Sequence, residues 1–144
     1  MVRSQAPATS WTIAGLARAG GVGVETVRYY QRRGLLPTPD GGAGVRRYGQ
    51  TDLRQLRFVK AAQAAGFTLA QIGELLAMDP KTDRGRARAL AEARLADIDR
   101  TIASLQRVRA SLGRLARDCR SGGRGPCPIL EAFDHAEPSA RAAA

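Results

Sequence analysis

Acidic residues are scarce in this chain: 13 Asp and Glu stand against 23 Lys and Arg in 144 residues, a formal net charge of +10. A surplus of that size favours a polyanionic partner, because each neutralised phosphate releases condensed counterions. The competing account is a coding bias toward Arg. Histidine is almost missing, with His135 alone. No Ser/His/Asp set, metal-hydrolase spacing or nucleotide-binding glycine fingerprint occurs, so an enzyme finds no support. No apolar run approaches bilayer length, and the N-terminus lacks an apolar signal core. The expectation is a cytoplasmic protein with no membrane partner. Cysteine is limited to Cys119 and Cys127. In a reducing compartment a permanent disulfide between them is not expected. Metal binding, thiol redox chemistry and inertness all remain open for the pair.

The charge that is present is unevenly placed. Residues 24–60 hold Arg28, Arg32, Arg33, Arg46, Arg47, Arg54, Arg57 and Lys60 against Glu25, Asp40 and Asp52. Further on, Arg alternates with Glu92, Asp97 and Asp99, as on a solvated helix. The N-terminal half is therefore the candidate DNA face. Residues 1–10 read as a disordered lead-in. Thr12 can cap a short helix carrying Ile13, Leu16 and Ala17, broken by Gly20-Gly21. A second helix follows over residues 24–33 and stops at Gly34. Two short helices around a glycine turn make a helix-turn-helix. Residues 39–44 are all turn formers, and Val45-Arg46-Arg47-Tyr48 suits the returning strand of a small β hairpin, or wing. Helices opened by Thr51-Asp52 and by Thr68 complete a DNA-binding domain over residues 11–80.

From residue 83 to 118 no proline occurs. Ala91, Leu95, Ile98, Ile102, Leu105, Val108, Leu112, Leu115 and Cys119 trace one apolar seam along an otherwise charged helix. Such a seam asks for a partner helix, most economically from a second copy in a symmetric dimer. The alternative is a helix folded back on its own domain. Residues 119–133 form a Gly- and Pro-rich loop and a short apolar segment, and 134–144 read as a disordered tail. The expected fold class is all-α with a small β wing: an N-terminal winged helix-turn-helix plus a long antiparallel coiled-coil dimerisation helix.

In a helix-turn-helix the second helix enters the major groove, and its early residues meet base edges. Here it offers Thr26, Arg28, Tyr29 and Arg32, with Arg46, Arg47 and Tyr48 placed to touch an adjacent backbone. Tyr30 suits the core as well as a contact. The runs Thr12-Ile13-Ala14, Gly23-Val24-Glu25-Thr26-Val27-Arg28-Tyr29-Tyr30-Gln31-Arg32-Arg33-Gly34-Leu35-Leu36, Arg46-Arg47-Tyr48, Leu53-Arg54-Gln55-Leu56-Arg57-Phe58-Val59-Lys60 and Gly66-Phe67-Thr68-Leu69 resemble the MerR family of regulators. The resemblance covers residues 11–133. It is nearest to the mercury-responsive branch in the wording of residues 24–32 and 46–49. It implies a homodimer on double-stranded promoter DNA, joined by antiparallel long helices. It also implies a promoter spacer too long for good contact with RNA polymerase, which the effector-bound dimer bends and untwists. Deforming a short site costs on the order of a few kcal/mol.

The resemblance also implies a metal-binding loop at Cys119 and Cys127, with seven residues rich in Gly and Pro between them. Thiolates select soft ions such as Hg(II), Cu(I), Ag(I), Au(I) or Zn(II). Sensors of divalent ions in the family carry a third cysteine at the start of the dimerisation helix. Here Asp83 or Arg84 stands there, so a three-thiolate site is unsupported. Tetrahedral zinc would need Asp83, His135 or water to complete its shell. A bis-thiolate complex is neutral with Hg(II) but carries −1 with a monovalent ion, which then needs Arg84 or Arg120 nearby. The loop spacing resembles the monovalent sensors, whereas the DNA-binding half resembles the mercury sensors. Hg(II) is favoured, with Cu(I) and its congeners the alternative and a thiol redox sensor the third possibility. A structural coiled-coil adaptor would leave the basic segment without purpose.

Overall fold

The computed structural model of the protein describes residues 9–41 and 44–136. Residues 1–8 of the lead-in expected over 1–10, and residues 137–144 of the tail expected over 134–144, lie outside them. The chain divides into two units, Met1–Arg94 and Leu95–Ala144.

The first unit is helical. Helix α1 (Ile13–Gly20) opens at Thr12, whose hydroxyl accepts from the Gly15 N–H, and closes at Gly21 in the left-handed region. Helix α2 (Val24–Arg32) begins at Gly23, which offers no side-chain cap. Helix α3 (Gln50–Ala64) begins at Gly49, whose N–H donates to the Asp52 carboxylate at 2.7 Å. Helix α4 (Leu69–Leu76) carries a reciprocal cap, with Thr68 and Gln71 satisfying each other's backbone N–H groups. These caps pair orphan helix donors that burial would otherwise leave unmatched.

The core gathers Leu16, Ala17, Val27, Tyr30, Leu35, Leu36, Tyr48, Leu53, Leu56, Val59 and Ile72. Their helical spacing puts one face of each helix inward. The tightest approach joins α1 to α3: a β-carbon at Gly20 would collide with Leu56 Cδ2. Lys60 reinforces that crossing by donating to the carbonyls of Gly20 and Gly21, at 3.4 and 3.1 Å. A cation there also meets the negative end of α1.

The β wing is not present, which corrects the expected fold class to all-α. No strand occurs among the described residues. Instead Tyr48 forms an isolated antiparallel bridge with Trp11, each N–H donating to the other's carbonyl at 2.8 Å. The physical reason lies in the intended partner. Pro37 and Pro39 carry no N–H, so the segment leaving α2 cannot supply a ladder. Val45 stays exposed, and Gly49 already caps α3.

Helix α5 (Arg84–Arg120) is a single run of 37 residues. At its start Asp83 accepts from the Asp79 N–H at 2.9 Å, and Arg94 Nε donates to the Ala65 carbonyl at 2.9 Å. Gly66, at φ +90°, leaves room for Arg94, since a β-carbon would collide with the guanidinium. Gly66→Ala is therefore expected to cost about 1–3 kcal/mol from backbone strain alone. A denaturant midpoint unchanged from the parent protein would contradict this.

In the second unit α5 buries no residue, and Leu95, Ile102, Leu105, Val108 and Leu112 on its seam are exposed. After α5 a glycine-rich turn leads to helix α6 (Pro128–Asp134), with Cys127 at its N-cap and Pro128 in its first turn. No helix among the described residues is long and apolar enough to cross a membrane.

Candidate nucleic-acid interface and thiol site

Helix α2 separates its residues cleanly. Val27 and Tyr30 face the core, while Arg28, Tyr29, Arg32 and Arg33 are exposed and Thr26 is half-buried. Tyr30 is a core residue: its hydroxyl donates to Gln63 Oε1 on α3, and burial, with Tyr29 nearby, pushes its phenol up. That bond anchors the inner face of α2 and leaves the outer face free. On the outer face Arg33 stacks over the Tyr29 ring at 5.9 Å, and Arg28 pairs with Glu25 at 2.7 Å.

The segment between α2 and α3 is tied back by Gln31. Its Nε2 donates to the Tyr48 hydroxyl at 2.9 Å and to the Pro37 carbonyl at 3.4 Å. Tyr48 is 3% exposed, so its ring packs into the core while neighbouring Arg46 and Arg47 stay on the surface. The result is an open basin lined by Thr12, Arg28, Gln31, Arg32 and Arg46. Three guanidiniums around one concave surface suit phosphate and guanine edges, both of which accept a planar donor fork. Sequence reasoning had not singled out Trp11 or Gln31. Their roles depend on partners 37 and 17 positions away, and no local periodicity carries that signal.

Cys119 in the last turn of α5 and Cys127 at the α6 N-cap place their sulfurs 3.8 Å apart. The backbone N–H groups of Leu130 and Ile129, in the first turn of α6, lower the Cys127 thiol from its usual value. Cys119, hydrogen-bonded to that sulfur, is pushed up. Of the two, Cys127 is the one that gives up its proton more readily. Asp118, Arg124 and Glu131 line the same hollow. Among the described residues no group of three His, Cys, Asp or Glu side chains is assembled for a metal ion. Asp83 and Arg84 belong to the first unit, where they border an apolar hollow with Phe58, Leu75, Met78 and Ala87. Asp83 is already engaged by the Asp79 N–H and by Arg86 at 3.5 Å.

Residues 11–79 match the model of MerR HTH family regulatory proteins, and residues 53–115 match the DNA-binding model of the same family. The mercuric resistance operon regulatory protein of Serratia marcescens is 45% identical over 121 residues, 83% of this chain and 84% of that one. This chain belongs to the MerR family. It is a DNA-binding regulatory protein and not an enzyme. Solved MerR-family folds agree. The lead(II) complex of the regulator PbrR691 from Ralstonia metallidurans CH34 superposes with a TM-score of 0.71 at 28% identity, covering 85% of this chain and 98% of that one. The mercury(II) complex of MerR from Bacillus megaterium MB1 gives 0.64 at 31% identity, covering 84% and 96%.

Proposed function

We propose that this metal-responsive MerR-family regulator works as a homodimer on promoter DNA and is switched by Hg(II) held between Cys119 and Cys127. The observation that carries the metal assignment is the 3.8 Å separation of the two sulfurs on an exposed loop. With metal–sulfur bonds of about 2.3 Å, the length found for zinc, a linear pair spans about 4.6 Å. The glycine-rich turn needs to open by less than an ångström to accept it. A bis-thiolate of Hg(II) is neutral, so an exposed two-cysteine site can hold it without a third donor. The likeness to mercuric resistance regulators supports the same choice. The seven-residue spacing favours the alternative, Cu(I) or its congeners, whose complex leaves a negative charge that Arg120 or Arg124 would have to balance. Absorption titrations with Hg(II) and Cu(I), alongside a promoter assay across a metal panel, decide between them. Tight Cu(I) binding with a weak Hg(II) response would overturn the choice.

On the DNA side, α2 enters the major groove with Thr26, Arg28 and Tyr29 toward the bases and Arg32 toward the backbone. Arg46 and Arg47 reach the flanking phosphates from the loop that Trp11, Gln31 and Tyr48 hold in place, Tyr48 acting from the core. The exposed seam of α5 supports pairing with a second copy, since Leu95, Ile102, Leu105 and Val108 have no cover within their unit. Metal binding acts on promoter shape, and so on RNA polymerase, only through a difference in affinity between two DNA-bound conformations. Arg28→Ala is expected to weaken operator binding at least tenfold, about the worth of one bidentate base contact, without unfolding the protein. A gel-shift titration giving unchanged affinity would remove α2 from the interface.

A further inference from the structure

Glu25 is the odd residue on the basic face. Of the three carboxylates among residues 24–60, Asp52 is consumed in capping Gly49, and Asp40 lies in the loop after α2. Glu25 alone stands on the first turn of α2 among the exposed cations. Its side chain is 78% exposed, and it grips Arg28 one turn along at 2.7 Å. An exposed ion pair at this spacing adds only a few tenths of a kcal/mol to a helix. Set against phosphates, a carboxylate weakens every nearby contact through like-charge repulsion. Raw DNA affinity does not account for its position, and the ion pair and the helix end contribute only modestly to folding.

We propose that Glu25 is a specificity-determining residue of the DNA interface. It pins the Arg28 guanidinium so that the fork faces base edges, and its own charge penalises binding in which Arg28 swings to a phosphate. On cognate DNA the pinned fork meets a guanine and the pair stays closed. On other sequences the fork finds no matching acceptors, and the carboxylate remains close to the backbone. Discrimination thus rises at the expense of affinity for any DNA, which is how negative selection against wrong partners operates. The inference rests on α2 being the base-reading helix.

The competing role for Glu25 is simple stabilisation of the positive N-terminal end of α2. The full-length E25Q protein separates the two. Gel-shift titrations on operator and on random duplex of equal length should show random-sequence binding strengthened several-fold, and the operator-to-random ratio reduced about tenfold. In an R28A background the same substitution should leave that ratio unchanged, because the pinned group is gone. A lowered melting temperature with an unchanged ratio assigns Glu25 to helix stability and overturns the proposal. Equal loss of affinity on both duplexes also overturns it. If R28A itself leaves operator binding intact, the assignment of α2 fails first, and the inference about Glu25 falls with it.

Discussion

Cys127→Ser is expected to abolish metal-dependent activation while leaving operator binding unchanged. Cys127 is the half of the thiol pair that gives up its proton more readily: it sits at the α6 N-cap, where the backbone N–H groups of Leu130 and Ile129 lower its thiol. Those donors favour the thiolate, the form that binds soft metals. The hydroxyl of serine stays protonated and is a hard donor, so one thiolate at Cys119 is left to hold the ion. Even partners outside the ligand set typically cost 10–100-fold in metal affinity when removed. Loss of a ligand should therefore exceed about 100-fold in a competition titration. The proposed DNA-contacting residues, Thr26 to Tyr48, all lie in the first unit, so a gel-shift without metal should match the parent protein. Retention of the metal response within twofold would exclude Cys127 as a ligand. Metal binding must also release the Cys119 proton, which its bond to Cys127 holds up, so affinity should weaken as pH falls.

A comparably large effect on stability is expected at the crossing of α1 and α3. Leu56 is fully buried and reaches into the space that a side chain at Gly20 would occupy. Leu56→Ala should cost about 2–5 kcal/mol through lost burial and an unfilled cavity. Gly20→Ala should cost about 1–3 kcal/mol by overpacking. Because the second substitution partly fills the gap left by the first, the double variant should be less destabilised than the sum, by at least about 1 kcal/mol. Urea denaturation of the four proteins in the cycle measures this. Strict additivity would mean that the two helices adjust independently, against the contact observed.

Much of the first unit was legible because its signals are local. Thr12, Gly34 and Thr68 act within four residues of themselves, through caps and a left-handed glycine, so short-range pattern suffices to locate them. The α5 seam is also local, repeating along one helix whether or not a partner is present. The wing failed for the opposite reason. Val45-Arg46-Arg47-Tyr48 has strand-like residues, but a strand needs a ladder, and Pro37 and Pro39 withhold the donors on the outgoing side. Tyr48 found its backbone partner in Trp11 instead. With its backbone paired there, its ring turned inward, where Gln31 meets the hydroxyl. A surface tyrosine and a buried one have the same sequence neighbours here.

The division of α2 into a basic outer face and a core face shows the same boundary between local and distant causes. Alternation of Val27 and Tyr30 with Arg28, Tyr29 and Arg32 assigns an inner and an outer face by helical period alone. That the outer face forms a basin with Arg46 depends on how Gln31 and Trp11 fasten the intervening segment.

The amino-acid sequence by itself determined the charge of the DNA face, the helix ends, the family, and the presence of two thiols without a third. These follow from residue type and short-range spacing. Only the tertiary structure decided that the described residues of the loop after α2 form no strand, that the Tyr48 ring packs into the core behind Arg46 and Arg47, and that Cys119 and Cys127 lie 3.8 Å apart. Each of those outcomes depends on which distant groups satisfy a backbone donor or fill a buried space, and that competition is settled across the fold rather than along the chain.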